Sequence, residues 1–333
     1  MYKDTKYITQ EKRGTIIFMN EVFDFYNKTS LKSYNLNETM RYQLSRLDTL
    51  DVFTRKHSES VANITCRLCE LLKLNSAFTV YCTTCAYLHD IGKIFIPHEI
   101  LQKKSKLTDE EYEIMKTHAI KGYNICIADP LLQPYANGPL YHHEALNGTG
   151  YPNGVTIENI PLEGQIIRVA DEYDAIVNKR QYKSHIGISD TLKILIENAT
   201  PVPAKPEENL DKKMVKIRRK YGKINKKILT QLFKIVISDT EYEIECITEY
   251  VNYLAEQIKR LETIKMYHQK YNESTKEQDK YYYSENIKKL FSTGENIENY
   301  SNILTDYRNA YRVRKEKIDN LYNEINIIRH LKI

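Results

Sequence analysis

FTVYCTTCAYLHDIGK, residues 78–93, decides the fold class, because its apolar and chemically reactive positions fall on one period. Phe78, Cys82, Cys85 and His89 stand at i, i+4, i+7 and i+11, which is a single stripe of an α-helix. Asp90 follows directly, about 100° further round the same helix, so an imidazole and a carboxylate leave one helix end in neighbouring directions. Working back, Val61, Thr65, Leu68 and Leu72 extend a similar stripe to His57. Working forward, Thr108 as N-cap with Glu111 at the third helical position forms a capping box, opening a helix through Met115, His118 and Gly122. Gly138, Pro139, Gly148, Gly150, Pro152, Gly154 and Pro161 break any helix over 137–161, which reads as a structured loop. Helix resumes over 164–178 and again after Ile188. The expectation is an all-α protein.

The 333 residues are 41% hydrophobic and 28% charged, close to globular averages, which excludes collagen-like and wholly disordered classes. The longest charge-free apolar run, Leu74 to Leu88, contains Asn75, Ser76, Thr79, Thr83 and Thr84. It falls short of the roughly 20 apolar residues of a membrane helix, so no membrane partner is expected. The first residues lack the apolar stretch of a signal peptide, and the expected setting is cytoplasmic. A net charge of 49 − 44 = +5 is too weak for a nucleic-acid footprint, so no nucleic acid polymer is expected as partner. Cys66-x-x-Cys69 and Cys82-x-x-Cys85 have the spacing of a zinc ribbon, but they lie inside apolar-periodic stretches without glycine knuckles. Buried thiols packing a core are the expected role.

Three regions are expected: a helical extension over 1–45, a main domain over 46–240, and a C-terminal helical hairpin or coiled coil over 241–333. A connection rich in proline and charge over 201–211 leads to a basic helix (212–227) and an apolar one (228–238). Ile247, Val251, Leu254, Ile258 and Leu261 then alternate spacings of four and three, as do many apolar positions from Leu304 to Ile328. Two long helices joined by a polar stretch over 271–299 follow from this pattern. The first seam pairs either with the later helix of its own chain or with a second copy, and a homodimer through these helices is expected.

Six of the nine histidines fall between His57 and His143. Any one alone reads as a hydrogen-bonded core residue. Together, His57, His89, Asp90, His118, His142, His143 and Asp171 direct several imidazoles and two carboxylates at one core, which is costly unless a cation pairs with them. Nitrogen and carboxylate donors without thiolate suit iron, manganese, zinc or nickel rather than calcium.

The motifs around these residues are more specific. Tyr87-Leu88-His89-Asp90-Ile91-Gly92-Lys93, continuing to Ile96-Pro97, resembles the signature of the HD superfamily of metal-dependent phosphohydrolases. His142-His143-Glu144-Ala145-Leu146-Asn147-Gly148-Thr149-Gly150-Tyr151-Pro152 resembles the extended motif of its HD-GYP branch, as do Ile166 to Ala175 and Arg180-x-Tyr182-Lys183. The resemblance runs from about residue 51 to 195. It implies a helical bundle of the HD phosphodiesterase type with a GYP loop. The implied activity is hydrolysis of a cyclic dinucleotide, usually cyclic di-GMP, to pGpG or GMP by a hydroxide bridging two metals. The alternatives are another phosphoester, such as cyclic GMP-AMP or a nucleotide, and an idle binding module that signals through its C-terminal helices.

Carried over residue by residue, the resemblance gives Asp90 as the bridging ligand. It assigns His57, His89 and Asp171 to one metal and His118, His142 and His143 to the other. Lys93 becomes a catalytic cation for the scissile phosphate, and Tyr151, Arg180 and Lys183 become substrate contacts. Some family members place an acidic ligand where this chain has Phe53 and hold a third metal. Two divalent ions per chain are therefore expected, iron or manganese foremost.

Overall fold

The protein is described here from a computed structural model covering residues 52–178, 187–204, 208 and 210–333. Its helices begin where the chain supplies caps. Helix α1 (Val52–Leu71) ends in a turn at Lys73, and the Asn75 side chain accepts from the Phe78 amide at 2.8 Å to open α2 (Ser76–Leu88). A 3-10 turn (Ile91–Phe95) and the short α3 (His98–Leu101) follow. The expected capping box is formed: the Glu111 amide donates to Thr108 Oγ1 at 3.2 Å and the Thr108 amide to Glu111 Oε2 at 2.8 Å. It opens α4 (Asp109–Ala128). The short α5 (Asn137–Tyr141) leads into the glycine- and proline-rich loop, which ends at α6 (Leu162–Asn178). Then come α7 (Ile188–Ala199), α8 (Lys212–Lys220), α9 (Lys226–Glu273), α10 (Glu277–Leu290) and α11 (Tyr300–His330).

The fold is all-α. Among the described residues the one strand-like feature is an isolated antiparallel bridge between Asn147 and Thr156 inside the loop. Among them, too, no helix is long and apolar enough to cross a membrane.

The described residues form two compact units, 52–240 with 324–333 and 241–323. In the larger unit α1, α2 and α6 pack around Val61, Leu68, Cys82, Cys85, Ile166 and Ile167, all fully buried. Cys69, Cys82 and Cys85 belong to this core, and Cys66 is buried beside it. A hydrogen bond with Cys69, then burial, raises the Cys82 thiol, and burial raises that of Cys85, so both sulfurs stay protonated. Arg67 clamps α1 to α9 by donating to both carboxylate oxygens of Asp239, at 2.7 and 2.5 Å.

In the smaller unit, Leu261, Ile264, Ile287, Tyr300 and Leu304 form the core. The Arg260 guanidinium meets Glu295 and the Leu290 carbonyl. Glu243 pairs with Lys317 and Glu262 with Arg308, so α9 and α11 run antiparallel. Ile247, Val251 and Leu254 are buried within the chain. The apolar stripe thus packs inside its own chain.

Three details differ from the sequence reading. The apolar segment 228–238 and the stripe from Ile247 are one helix, because α9 contains no glycine or proline to break it. The polar stretch 271–299 is largely the helix α10. The last ten residues belong to the larger unit, where Ile328 enters the core and Glu324 accepts from the Ser189 amide at 2.9 Å. The helical extension expected over 1–45 lies outside the described residues.

The 3-10 turn after α2 is pressed against α4 so closely that only glycine fits at position 92. A Cβ there would lie 2.0 Å from the His118 carbonyl oxygen and 2.4 Å from the Gly122 nitrogen. This approach brings Asp90 to His118. Gly92→Ala is expected to cost about 3 kcal/mol, since both neighbours are backbone and cannot turn aside; urea unfolding measures it.

Candidate metal centre

Five imidazoles and two carboxylates meet inside the larger unit. His57 comes from α1, His89 and Asp90 from the end of α2, His118 from α4, His142 and His143 from the turn after α5, and Asp171 from α6. Asp90 stands between them, almost wholly buried. Its Oδ2 lies 3.2 Å from His89 Nε2 and 3.6 Å from His57 Nε2. Its Oδ1 lies 3.4 Å from His118 Nε2 and 4.0 Å from His142 Nε2. One carboxylate oxygen therefore faces each group of histidines. Asp171 reaches both as well, with Oδ1 3.0 Å from His57 Nε2 and Oδ2 3.8 Å from His143 Nδ1.

The protons on these rings are assigned by their outer partners. His89 Nδ1 donates to the Ala86 carbonyl at 2.6 Å, His118 Nδ1 to Met115 at 2.7 Å, and His142 Nδ1 to Pro139 at 2.8 Å. Each Nε2 is then a bare lone pair aimed inward. His89 Nε2 is buried with no hydrogen-bond partner. His118 and His142 turn their Nε2 atoms to within 3.1 Å of each other, lone pair against lone pair. Burial holds His118 below its usual range, and His142 and His143 well below it, so protonation does not relieve the contact. A divalent cation does. The atoms of His57, His89 and Asp90, and those of His118, His142 and His143, each lie within 4.8 Å of one another. Both groups fit a divalent metal, and their nitrogen and oxygen donors suit a transition ion.

The carboxylates are tuned to match. Burial alone would raise the Asp90 and Asp171 carboxyls, but Lys93 and His89 beside the first, and His57 and His143 beside the second, hold both well below the ordinary range. Burial would lower His57, yet Asp171 and Asp174 raise it to about 10. Lys93 Nζ sits 2.5 Å from Asp90 Oδ2.

The loop over 142–161 forms one wall. The Tyr151 ring stacks on His143 with centroids 4.6 Å apart, and Lys116 Nζ lies 5.9 Å from the Tyr151 centroid. Glu144 holds the loop by accepting from the Asn153 amide at 2.7 Å and the Val155 amide at 3.1 Å. A Cβ at Gly150 would come 2.3 Å from the Ala145 nitrogen, so the loop closes only with glycine there.

The structure thus gathers His57, His89, Asp90, His118, His142, His143 and Asp171, with Lys93 and Tyr151 at the same place. Arg180, Lys183 and the Phe53 side chain lie outside what is described. Two buried carboxylates had no role in the sequence reading. Asp174 was legible in principle, since it follows Asp171 by three residues on one helix face. Glu144 had no periodic signal, because only the folded loop brings residues 153 and 155 back to it.

A sequence model described as "HD domain" matches residues 25–201, more than half of the chain. The chain belongs to the HD domain family. The matched segment includes the Gly150-Tyr151-Pro152 loop. The chain is 43% identical over 136 residues to "Cyclic di-GMP phosphodiesterase" of Thermotoga maritima, a match covering 40% of this chain and 37% of that protein. It is 37% identical over 161 residues to "Cyclic di-GMP phosphodiesterase PdeB" of Borreliella burgdorferi, covering 48% and 41%. It is 35% identical over 152 residues to "3'3'-cGAMP-specific phosphodiesterase 3" of Vibrio cholerae, covering 46% and 33%. The matched segment spans well under half of these curated relatives.

Glu144→Ala in this HD-domain protein leaves two loop amides without their acceptor. The expected loss is about 2–3 kcal/mol of stability, measured by chemical denaturation. Glu144→Gln, which keeps one acceptor oxygen, is expected to lose about half of that.

Proposed function

We propose that the protein is a metal-dependent phosphodiesterase that hydrolyses a cyclic dinucleotide, cyclic di-GMP foremost, to pGpG or GMP. The observation that carries this reading is the division of Asp90, with one buried oxygen toward His57 and His89 and the other toward His118 and His142. A carboxylate so placed suits two ions a few ångströms apart, which is the arrangement used for in-line attack on phosphorus. We assign two ions per chain, iron or manganese, with His57, His89 and Asp171 serving one and His118, His142 and His143 the other. When bound, such ions supply Lewis acidity toward the phosphate oxygens and activate water at neutral pH.

The remaining roles fall to the chain's own side chains. Asp90 and Asp171 keep the centre anionic, balancing part of the cationic charge. Lys93, anchored on Asp90, offers its ammonium to the charge that develops on the phosphoryl oxygens. Tyr151, stacked on His143, presents a ring face to a base and a hydroxyl to a phosphate. Arg180 and Lys183, by family resemblance, hold phosphate. The six cysteines, none of them in a disulfide, fit a reducing compartment, in keeping with a cytoplasmic setting.

The test is turnover of cyclic di-GMP, cyclic GMP-AMP and pGpG by the full chain loaded with manganese or iron, with products separated by chromatography. Hydrolysis of cyclic di-GMP is expected. Preference for cyclic GMP-AMP would reassign the substrate, and tight binding with no turnover under either metal would make the protein a receptor.

Two variants divide chemistry from metal holding. Lys93→Ala is expected to keep its metals and to lose on the order of 10²-fold in kcat. Asp90→Ala is expected to lose both ions as well as activity, read by elemental analysis after dialysis.

A further inference from the structure

Four histidine ligands show their outer partners, and His57 is the exception among them. His89, His118 and His142 lean on peptide carbonyls, whereas His57 Nδ1 donates to a carboxylate, Asp174 Oδ2, at 2.6 Å. Asp174 is 4% exposed, and its other oxygen accepts from the Ser60 hydroxyl. His57 and Ser60 are three residues apart on α1, as Asp171 and Asp174 are on α6. The two helices therefore meet through two parallel contacts, His57 Nε2 with Asp171 and His57 Nδ1 with Asp174. The ring is gripped at both nitrogens, and the Asp174 carboxylate is turned and fixed by Ser60.

We propose that Asp174, oriented by Ser60, is a positioning residue that makes the two metal positions unequal, so that the ion held by His57, His89 and Asp171 binds first and is released last. A carboxylate hydrogen-bonded to the far nitrogen fixes the tautomer and raises the basicity of the donor nitrogen beyond what a neutral carbonyl does. Asp171 also leans toward the His57 side, with Oδ1 3.0 Å from His57 Nε2 against 3.8 Å from Oδ2 to His143 Nδ1, and the partners of His118 and His142 behind the ring are peptide carbonyls rather than carboxylates. The third carboxylate, Asp174, and the nitrogen donor it strengthens are on the His57 side. This inference rests on the two-ion reading above.

The experiment titrates metal-free full-length protein with Mn2+, following free ion by electron paramagnetic resonance, in wild type, Asp174→Asn and Ser60→Ala. Wild type should bind two ions in two separate steps. Asp174→Asn keeps the size and an acceptor oxygen but removes the charge. It should weaken the first step by about 10- to 100-fold and leave the second within a factor of a few. Ser60→Ala, which leaves the His57 contact intact, should weaken the same step by less. Activity of Asp174→Asn should return toward wild type as Mn2+ in the assay is raised, which a misfolded variant would not do.

Two equal steps in wild type, an unchanged first step in Asp174→Asn, or equal weakening of both steps would each overturn the proposal while leaving two-metal hydrolysis standing. A single ion in wild type would overturn the two-ion reading and this proposal with it. Thermal unfolding of the metal-free proteins completes the test: a fall in Tm without a selective change in the first step makes Asp174 a structural residue only, and the proposal fails.

Discussion

Lone pairs that face one another in a buried space constrain everything around them. His118 and His142 hold Nε2 against Nε2, His89 Nε2 has no hydrogen-bond partner, and Asp90 lies at the middle with its charge nearly sealed from water. None of these groups is stable there by itself, and the cost of each is relieved by positive charge. Lys93 supplies one cation from the chain. The rest of the demand is what fits the centre to a divalent cation.

The helices serve that demand by bringing five separate segments to within a few ångströms. Close backbone approach does much of this. Gly92 lets the turn after α2 touch α4, so Asp90 meets His118, and Gly138 lets α5 press against Cys85 of α2, so His142 comes inward. The core of α1, α2 and α6 then fixes His57 opposite Asp171. The loop that completes the wall draws its form from Glu144 and from Gly150, and the stacked Tyr151 and His143 rings tie the loop to the ligands themselves.

The all-α class, the capping box at Thr108 and the convergence of His57, His89, Asp90, His118, His142, His143 and Asp171 were legible because periodicity and motif order encode helix faces directly. Asp174 was not assigned although its spacing put it on the helix face of Asp171, and Glu144 was not, because a carboxylate that supports a loop carries the same sequence signal as a solvated one. The C-terminal region was half legible. Its stripe was visible, but periodicity cannot say which surface covers it, and only the burial of Ile247, Val251 and Leu254 within the chain decides that. Nor does it show that α9 continues without a break, since apolar spacing shifts along the helix while the backbone does not.

The hydrogen bonds behind His89, His118 and His142 share one property. Each ring donates to the carbonyl three residues earlier, Ala86, Met115 and Pro139. Peptide carbonyls are present whatever side chain a position carries, so the aim of these three ligands survives substitution at the residues that supply the acceptor. His57 has no such insurance, because its support is a side chain on another helix. The acceptors behind three of these rings thus belong to the backbone itself, whereas the one behind His57 is lost when a single side chain, Asp174, changes.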